Sequence, residues 1–178
     1  MDLSKLSQDI SRSNEGDKLP PVDQWNPSFC GDMNLVIKRN GDWWHEGTPF
    51  TRVALVKLFA SVIKKEGEQY FLVTPVEKIG IQVEDVPFVI IDWQYKEHHL
   101  NVTTQTGDQF TLSPTHPVEL RMFEGNAIPY CLVRRNLWAR VNQNVYYQWV
   151  ESASQNQQAK NGELCWQSGD YSFSLGTF

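Results

Sequence analysis

Leu35-Val36-Ile37-Lys38-Arg39-Asn40-Gly41-Asp42-Trp43-Trp44-His45 is the stretch that decides the fold class. Its first five residues are β-prone. Asn40-Gly41 is the dipeptide most favoured in a two-residue hairpin turn, and residues 42–45 carry the chain back. Period-two alternation puts Trp43 and Trp44 on opposite faces of the returning strand.

Outward from this hairpin, the next segment reads as a helix. Thr48 suits its N-cap, and Pro49 suits the first helical position, where a missing N–H costs nothing. Val53, Leu55, Val56, Leu58, Phe59, Val62 and Ile63 form an apolar stripe, with Arg52, Lys57, Lys64 and Lys65 on the other side. This places Arg52 in the first turn, Lys64 and Lys65 at the negative end of the helix dipole, and Gly67 at the stop.

Strand-like runs follow at 69–73, 78–83, 88–93, 100–106, 109–112, 118–123, 130–134 and 137–141. Gly107-Asp108, Ser113-Pro114, Glu124-Gly125-Asn126 and Asn136 punctuate them as turns. This spacing predicts a strongly bent sheet or partly open barrel. Val145, Tyr146, Trp149, Val150 and Ala153 recur at helical spacing and predict a second amphipathic helix over 144–153. Residues 152–162 are polar and Gln-rich and read as a mobile loop; 164–166 and 171–173 read as a last hairpin. At the other end, residues 1–28 read as an arm. Pro20-Pro21 favours an extended path, and Trp25 and Phe29 are placed to pin the arm to the body.

Two internal echoes compete. Pro75-Val76-Glu77 recurs as Pro117-Val118-Glu119, with matching apolar positions behind it. On a larger scale, hairpin, helix and strands occur over 35–83 and again over 130–175. They cannot both be the repeat unit, and the larger is preferred. The fold class is therefore α+β and β-dominated, in two small lobes with a repeated β-hairpin/helix/strand motif. The expected domains are an N-terminal arm over 1–28, an N-terminal α+β lobe over 29–92, and a C-terminal β-rich lobe with one helix over 93–178.

The 178 residues carry a net charge of −5, and 21% of them are charged. Polymeric nucleic acid is excluded as an expected partner, because counterion release needs clustered Lys and Arg. No apolar run approaches the ~20 residues that span a bilayer, and Met1-Asp2-Leu3-Ser4-Lys5 lacks the basic start and apolar core of a signal peptide. A cytoplasmic chain with no membrane partner is expected. Cys30, Cys131 and Cys165 are odd in number and far apart, and form no CxxC pair or zinc spacing.

Candidate chemistry is sparse. His45 stands alone beside Glu46, whereas a metal-binding helix presents two His one turn apart. His98 and His99 are adjacent in an expected turn and face opposite ways. His116 is isolated. All read as structural, so no metal is expected. Glu84-Asp85 is a carboxylate pair, but adjacency does not give the convergence that catalytic carboxylates need. There is no G-x-S-x-G, P-loop or G-x-G-x-x-G, so no cofactor and no catalytic residue are assigned. Arg52 at a helix N-terminus would suit an anion; the alternative is an ion pair with Glu46, Glu84 or Asp85. Thr74-Pro75-Val76-Glu77-Lys78 either caps two strands or aims three polar groups into a cleft.

Residues 41–50, then Arg52 and 55–59, then Leu72-Val73-Thr74-Pro75-Val76-Glu77-Lys78 and Val83-Glu84-Asp85-Val86-Pro87-Phe88, together resemble the bacterial family called domain of unknown function 1285. Trp25-Asn26-Pro27 and Cys30-Gly31 are similar too, and Pro129-Tyr130 and Tyr146-Tyr147 carry the resemblance to about residue 150. It implies a two-lobed fold with a repeated motif, a C-terminal lobe superficially like a pleckstrin-homology domain, and a ligand site between lobes for a nucleotide-like molecule, with a signalling role. It brings no catalytic residues. Its motif positions Trp44, Arg52, Thr74, Glu77, Lys78, Glu84 and Asp85 become candidate ligand-binding residues by location.

The leading expectation is thus a regulatory module that binds a small nucleotide-like or anionic molecule. A protein-interaction module, with a protein partner, is the alternative, motivated by the many Trp and Tyr. A hydrolase or transferase using Glu84, Asp85 or His45 ranks third.

Overall fold

A computed structural model describes residues 2–14, 16, 18–156 and 159–178. It divides into two compact units, Met1–Asp85 and Val86–Phe178. The β-dominated α+β class expected from sequence is what the chain adopts, with two curled six-stranded sheets and three helices.

The first unit begins with α1 (Leu3–Ser13), capped by Asp2, whose side chain accepts from the Ser4 N–H. Leu6 and Ile10, one turn apart, are fully buried, and α1 packs on α2. The N-terminal segment is therefore not a plain arm. Its serines satisfy themselves within the helix, where Ser7, Ser11 and Ser13 hydroxyls donate to carbonyls three or four residues back, and two apolar residues at helical spacing suffice to seat it. Residues 18–21 are irregular and lead into a short 3-10 turn, Val22–Gln24. The Trp25 carbonyl accepts from Lys64 Nζ.

β1 (Phe29–Ile37) and β2 (Trp43–His45) form the expected antiparallel pair, with Ile37 opposite Trp43. The loop is one residue longer than a two-residue turn. Gly41 N–H donates to Lys38 O and Lys38 N–H to Asp42 O, so Arg39-Asn40-Gly41 is a three-residue loop with Gly41 at φ 92° supplying the left-handed position. Trp43 is buried and Trp44 only half-buried, as alternation requires.

The helix expected from Thr48 starts later. Thr48–Pro49 is β3, which returns on β2 with Thr48 opposite His45; Glu46, at φ 51°, turns the chain. α2 spans only Val53–Ala60. Its end is local: the Ser61 hydroxyl donates to Leu58 O, and the β-branched Val62-Ile63 follows. β4 (Ile63–Glu66) then pairs with β5 (Gln69–Val73) through the Gly67-Glu68 turn. The apolar stripe from Val53 to Ile63 is thus shared by a helix and a strand, and Lys64 and Lys65 lie on a strand rather than at a helix end. β6 (Lys78–Val83) completes a sheet of order β3-β2-β1-β6-β5-β4, in which β1 and β6 run parallel. Leu35, Ile37, Phe59, Ile63, Leu72 and Ile79 are fully buried in this unit, each worth roughly 1.5–3 kcal/mol of apolar burial.

The second unit holds β7 (Phe88–Lys96), β8 (His99–Thr104), β9 (Gln109–Thr111), β10 (Val118–Phe123), β11 (Asn126–Arg134) and β12 (Leu137–Val141) in the order β10-β11-β12-β7-β8-β9. Here β12 and β7 run parallel. β7 crosses residues 92 and 93 without a break, so Phe88 to Asp92 belong to the second unit and the expected boundary moves back to 85/86. α3 (Gln143–Asn156) starts on Asn142, whose Oδ1 accepts from the Asn144 N–H. It runs past the expected end at 153 and takes in the first half of the Gln-rich stretch; Gln157 and Gln158 lie outside the described residues. Val145, Trp149 and Ala153 form its buried stripe. β13 (Glu163–Ser168) and β14 (Tyr171–Thr177) make the expected last hairpin. Trp149, Trp166 and Phe173 meet at 6.1–6.5 Å, and Trp93 and Tyr95 reach the same Trp166 ring. Five aromatics therefore serve the core or its rim.

The order hairpin, helix, hairpin recurs: β1-β2, α2, β4-β5, then β11-β12, α3, β13-β14. Sheet membership differs, since β13 and β14 form their own two-stranded sheet. The shorter Pro-Val-Glu echo has no common setting. Pro75 and Val76 lie in the β5–β6 turn, whereas Val118 opens β10.

Candidate functional site

The seven candidate residues fall into separate places. Lys78 and Glu84 lie at opposite ends of β6, about 20 Å apart at strand rise. At the Lys78 end, Thr74 is fully buried. Its Oγ1 accepts from the N–H groups of Val76 and Glu77, and its own N–H donates to Glu77 O. Thr74 therefore caps the β5–β6 turn. Glu77 pairs with Lys5 of α1 at 3.8 Å. Lys78 donates to Glu66 and lies 4.4 Å from the Phe71 ring centroid; this hydrogen bond is the main reason the Glu66 carboxyl stays below its usual range.

At the other end, Glu84 accepts from the Arg39 N–H at 2.9 Å and pairs with Lys38 at 3.4 Å. The Arg39 N–H first, and the Lys38 ammonium after it, hold its carboxyl below the ordinary value. Lys38 also lies over the Trp44 ring, 5.4 Å from its centroid. Trp44, Lys38 and Glu84 are thus brought together, with Asp85 next in the chain. Arg52 is exposed at the N-cap of α2, where its side chain makes no cap hydrogen bond. It edges a shallow depression of about 190 Å³ with His45, Phe50 and Leu55. Of the acids weighed as its partners, Glu84 pairs with Lys38 and Glu46 lies nearest His45. His45 lies 4.0 Å from Glu46 and packs against the Phe50 ring, with centroids 6.0 Å apart. Among the described residues no three His, Cys, Asp or Glu side chains gather to hold a metal ion.

A better-formed cavity, of about 400 Å³, lies in the second unit. The β10–β11 turn gives Phe123, Glu124 and Asn126; β12 gives Arg140; α3 gives Gln143, Tyr146 and Tyr147; and Phe178 closes one side. Arg140 is only 9% exposed, and its guanidinium stacks on the Phe123 ring at 4.1 Å. Stacking covers one guanidinium face, and Arg140 has a further interaction besides it. The Tyr146 hydroxyl donates to Leu175 O at 2.6 Å and so ties α3 to β14; burial, and then Tyr147, push this hydroxyl up. Gln143 Nε2 donates to the Tyr147 hydroxyl at 2.8 Å. The volume falls in the usual range of small-molecule sites, roughly 300–1,000 Å³.

None of the seven sequence candidates lines this cavity. Two signals pointed to it. Tyr146-Tyr147 stands among the positions that carry the family resemblance, and Arg140 is a charge inside the apolar strand run Leu137-Trp138-Ala139-Arg140-Val141. Phe123 and Asn126 give no such signal, because a turn flanked by an aromatic is commonplace.

Two units, each with one parallel strand pair inside a curled six-stranded sheet and one carrying an aromatic cavity over a buried arginine, define a β-dominated α+β protein. The chain belongs to the DUF1285 family. Residues 20–86 match "Domain of unknown function (DUF1285), N-terminal domain", and residues 87–175 match "Protein of unknown function (DUF1285), C-terminal domain". The crystal structure of a DUF1285 family protein from Silicibacter pomeroyi DSS-3 is similar over 99% of this chain and 95% of that one, at 32% identity and a TM-score of 0.85. A second, from Shewanella baltica OS155, is similar over 67% of this chain and 91% of that one, at 33% identity and a TM-score of 0.54. No curated protein matches the chain.

Proposed function

We propose that the protein is a small-molecule binding module with a regulatory role, and that the cavity over Arg140 is its ligand site. The observation that carries this reading is the stack of the buried Arg140 on Phe123 at the wall of an open cavity. The ligand class is nucleotide-like. Phe123, Tyr147 and Phe178 offer apolar surface to a flat ring. Asn126, Gln143 and Glu124 supply both donors and acceptors for a ring edge, and Arg140 supplies charge to a phosphate or carboxylate. No helix among the described residues is long and apolar enough to cross a membrane. The three unpaired cysteines support a reducing, cytoplasmic setting.

The test is a thermal-shift screen of nucleoside mono-, di- and triphosphates and other phosphorylated metabolites, repeated on Arg140→Lys and Tyr147→Ala. At least one compound raises the wild-type melting temperature, and both variants reduce that rise. Arg140→Lys keeps the charge but loses the stacked planar fork. If no compound acts at saturation, or the variants respond as wild type does, the reading fails.

Tyr147 and Phe178, 59% and 69% exposed, favour a second reading, an apolar side chain of a protein partner seated in the same cavity. In that case these variants abolish co-purification of a stoichiometric partner and leave the small-molecule screen empty.

A further inference from the structure

A second concave surface lies on the opposite half of the second sheet, across β7, β8 and β9, with an open volume of about 620 Å³. Its build follows from register. Asp92 stands opposite Thr103 and Gln94 opposite Asn101. Thr103 in turn faces Gln109, and Asn101 faces Thr111. Directly opposed residues share a face, so these six side chains form a lattice of two rows by three strands. Its span is about 10 Å across the strands and about 7 Å along them. The intervening residues serve the protein on the other face. Val102 is 1% exposed, Trp93 Nε1 donates to Gln148, and Phe110 stacks on His116.

The lattice is chemically uniform. It holds one carboxylate, three carboxamides and two hydroxyls, with no Lys or Arg among the lining residues. Thr111 donates to Asn101 Oδ1, which leaves the Asn101 amide hydrogens for other partners. The side chains of Gln94, Thr103 and Gln109 make no hydrogen bond to the described residues. Asp92 follows a register shift in the β7–β8 pairing, and its Oδ1 accepts from the Trp93 N–H at 2.9 Å, which leaves Oδ2 toward the face; Asn is disfavoured in strands, so local propensity does not account for Asn101.

We propose that this face binds a neutral polyhydroxylated ligand of about disaccharide size. Each sugar hydroxyl is a donor and an acceptor, and carboxamides, hydroxyls and a carboxylate at fixed strand spacing complement several at once. Asp92 and the lack of cations select against phosphorylated sugars. No aromatic ring lies flat on this face to stack against a sugar, so affinity rests on hydrogen bonds and falls in the millimolar range. The site shares no lining residue with the Arg140 cavity.

The experiment is an NMR titration of the full ¹⁵N-labelled chain with maltose, cellobiose, trehalose and sucrose, and with glucose 6-phosphate as the charged comparison. At least one disaccharide shifts the amide resonances of residues 92–94, 101–103 and 109–111 saturably. The doubly substituted Gln94→Ala/Gln109→Ala chain keeps its melting temperature and binds about tenfold more weakly. The proposal is overturned by any of four results: no saturable shift with the four disaccharides, equal binding by the variant, shifts centred on Tyr147 instead, or tighter binding of glucose 6-phosphate at this face. Arg140→Lys leaves the titration unchanged, so failure here and failure of the nucleotide-like reading are separable.

Discussion

Arg134 donates from Nη1 to Asp108 Oδ1 at 2.7 Å, joining β11 to the loop between β8 and β9. The side chains are 12% and 23% exposed, so water screens the pair only partly. The hydroxyls of Thr104 and Thr106 donate to the second carboxylate oxygen at 2.9 and 2.6 Å. The Arg134 guanidinium also lies 5.0 Å from the Phe88 ring centroid. This is a polar network beside the core, in a segment that the sequence marks only as a turn.

Burial pushes the Asp108 carboxyl up, but the Arg134 charge and the hydrogen bonds from Thr106, Arg134 and Thr104 outweigh it, and the group sits below its ordinary value. A depressed carboxyl stabilises the fold above the unfolded value, near 3.9, and the contribution is lost as pH falls through the lower folded value. Melting temperature therefore falls as pH drops below about 4, and Asp108→Asn flattens that fall. At pH 7, Asp108→Ala costs about 2–3 kcal/mol in urea unfolding, somewhat under the usual figure for a fully buried pair. An Asn variant with undiminished acid sensitivity would show that this carboxyl does not carry it.

Thr74 was a site candidate, and the structure gives it a mechanical duty. Thr74→Val preserves shape but strips the acceptor from the Glu77 N–H, at a cost of about 1–2 kcal/mol. Thr74→Ser retains the acceptor and loses less. Neither change alters ligand response at the Arg140 cavity. Chemical denaturation and the thermal-shift screen, run on both variants, separate the two roles.

Gly169 sits at φ 58° in the β13–β14 turn, and a Cβ built there would lie 2.7 Å from His99 Nε2. Gly169→Ala carries both a left-handed backbone cost, roughly 1–2 kcal/mol, and the clash with the imidazole. His99→Ala in the same chain relieves the clash and leaves the backbone cost. A double-mutant cycle on unfolding free energy thus shows favourable coupling; strict additivity would mean that the ring swings aside freely.

Thiol reactivity follows burial. Cys30 is exposed, Cys165 intermediate and Cys131 buried, and burial pushes the Cys131 thiol far up. Ellman's reagent titrates Cys30 first and Cys165 more slowly. Cys131 reacts only when denaturant opens the second unit, because the thiolate is the attacking species. Early modification of all three thiols in buffer would contradict the buried setting of Cys131.

Local signals were legible where one residue type or one period decides the outcome. Asn40-Gly41 marks a reversal because few dipeptides tolerate it so well. Val145, Trp149 and Ala153 mark α3 because only a helix puts them on one face. The apolar run from Val53 to Ile63 was ambiguous, because a helix and a buried strand both accept it. Its break at Ser61 depends on a hydroxyl bonding to Leu58 O and on β4 finding β5. α1 was obscured because two buried residues among polar ones resemble an arm until α2 is there to receive them.

The amino-acid sequence by itself determined the β-dominated class, the first and last hairpins, the second-unit helix and the family, since each rests on contacts between near neighbours or on motif residues. Tertiary structure alone decided where the candidate groups lie. Thr74, Glu77 and Lys78 are close in sequence to Glu84, yet β6 holds them about 20 Å away from it. Arg140 and Phe123, distant in sequence, stack at 4.1 Å because β10, β11 and β12 lie side by side. Strand pairing sets such distances, and pairing partners are chosen by the whole sheet.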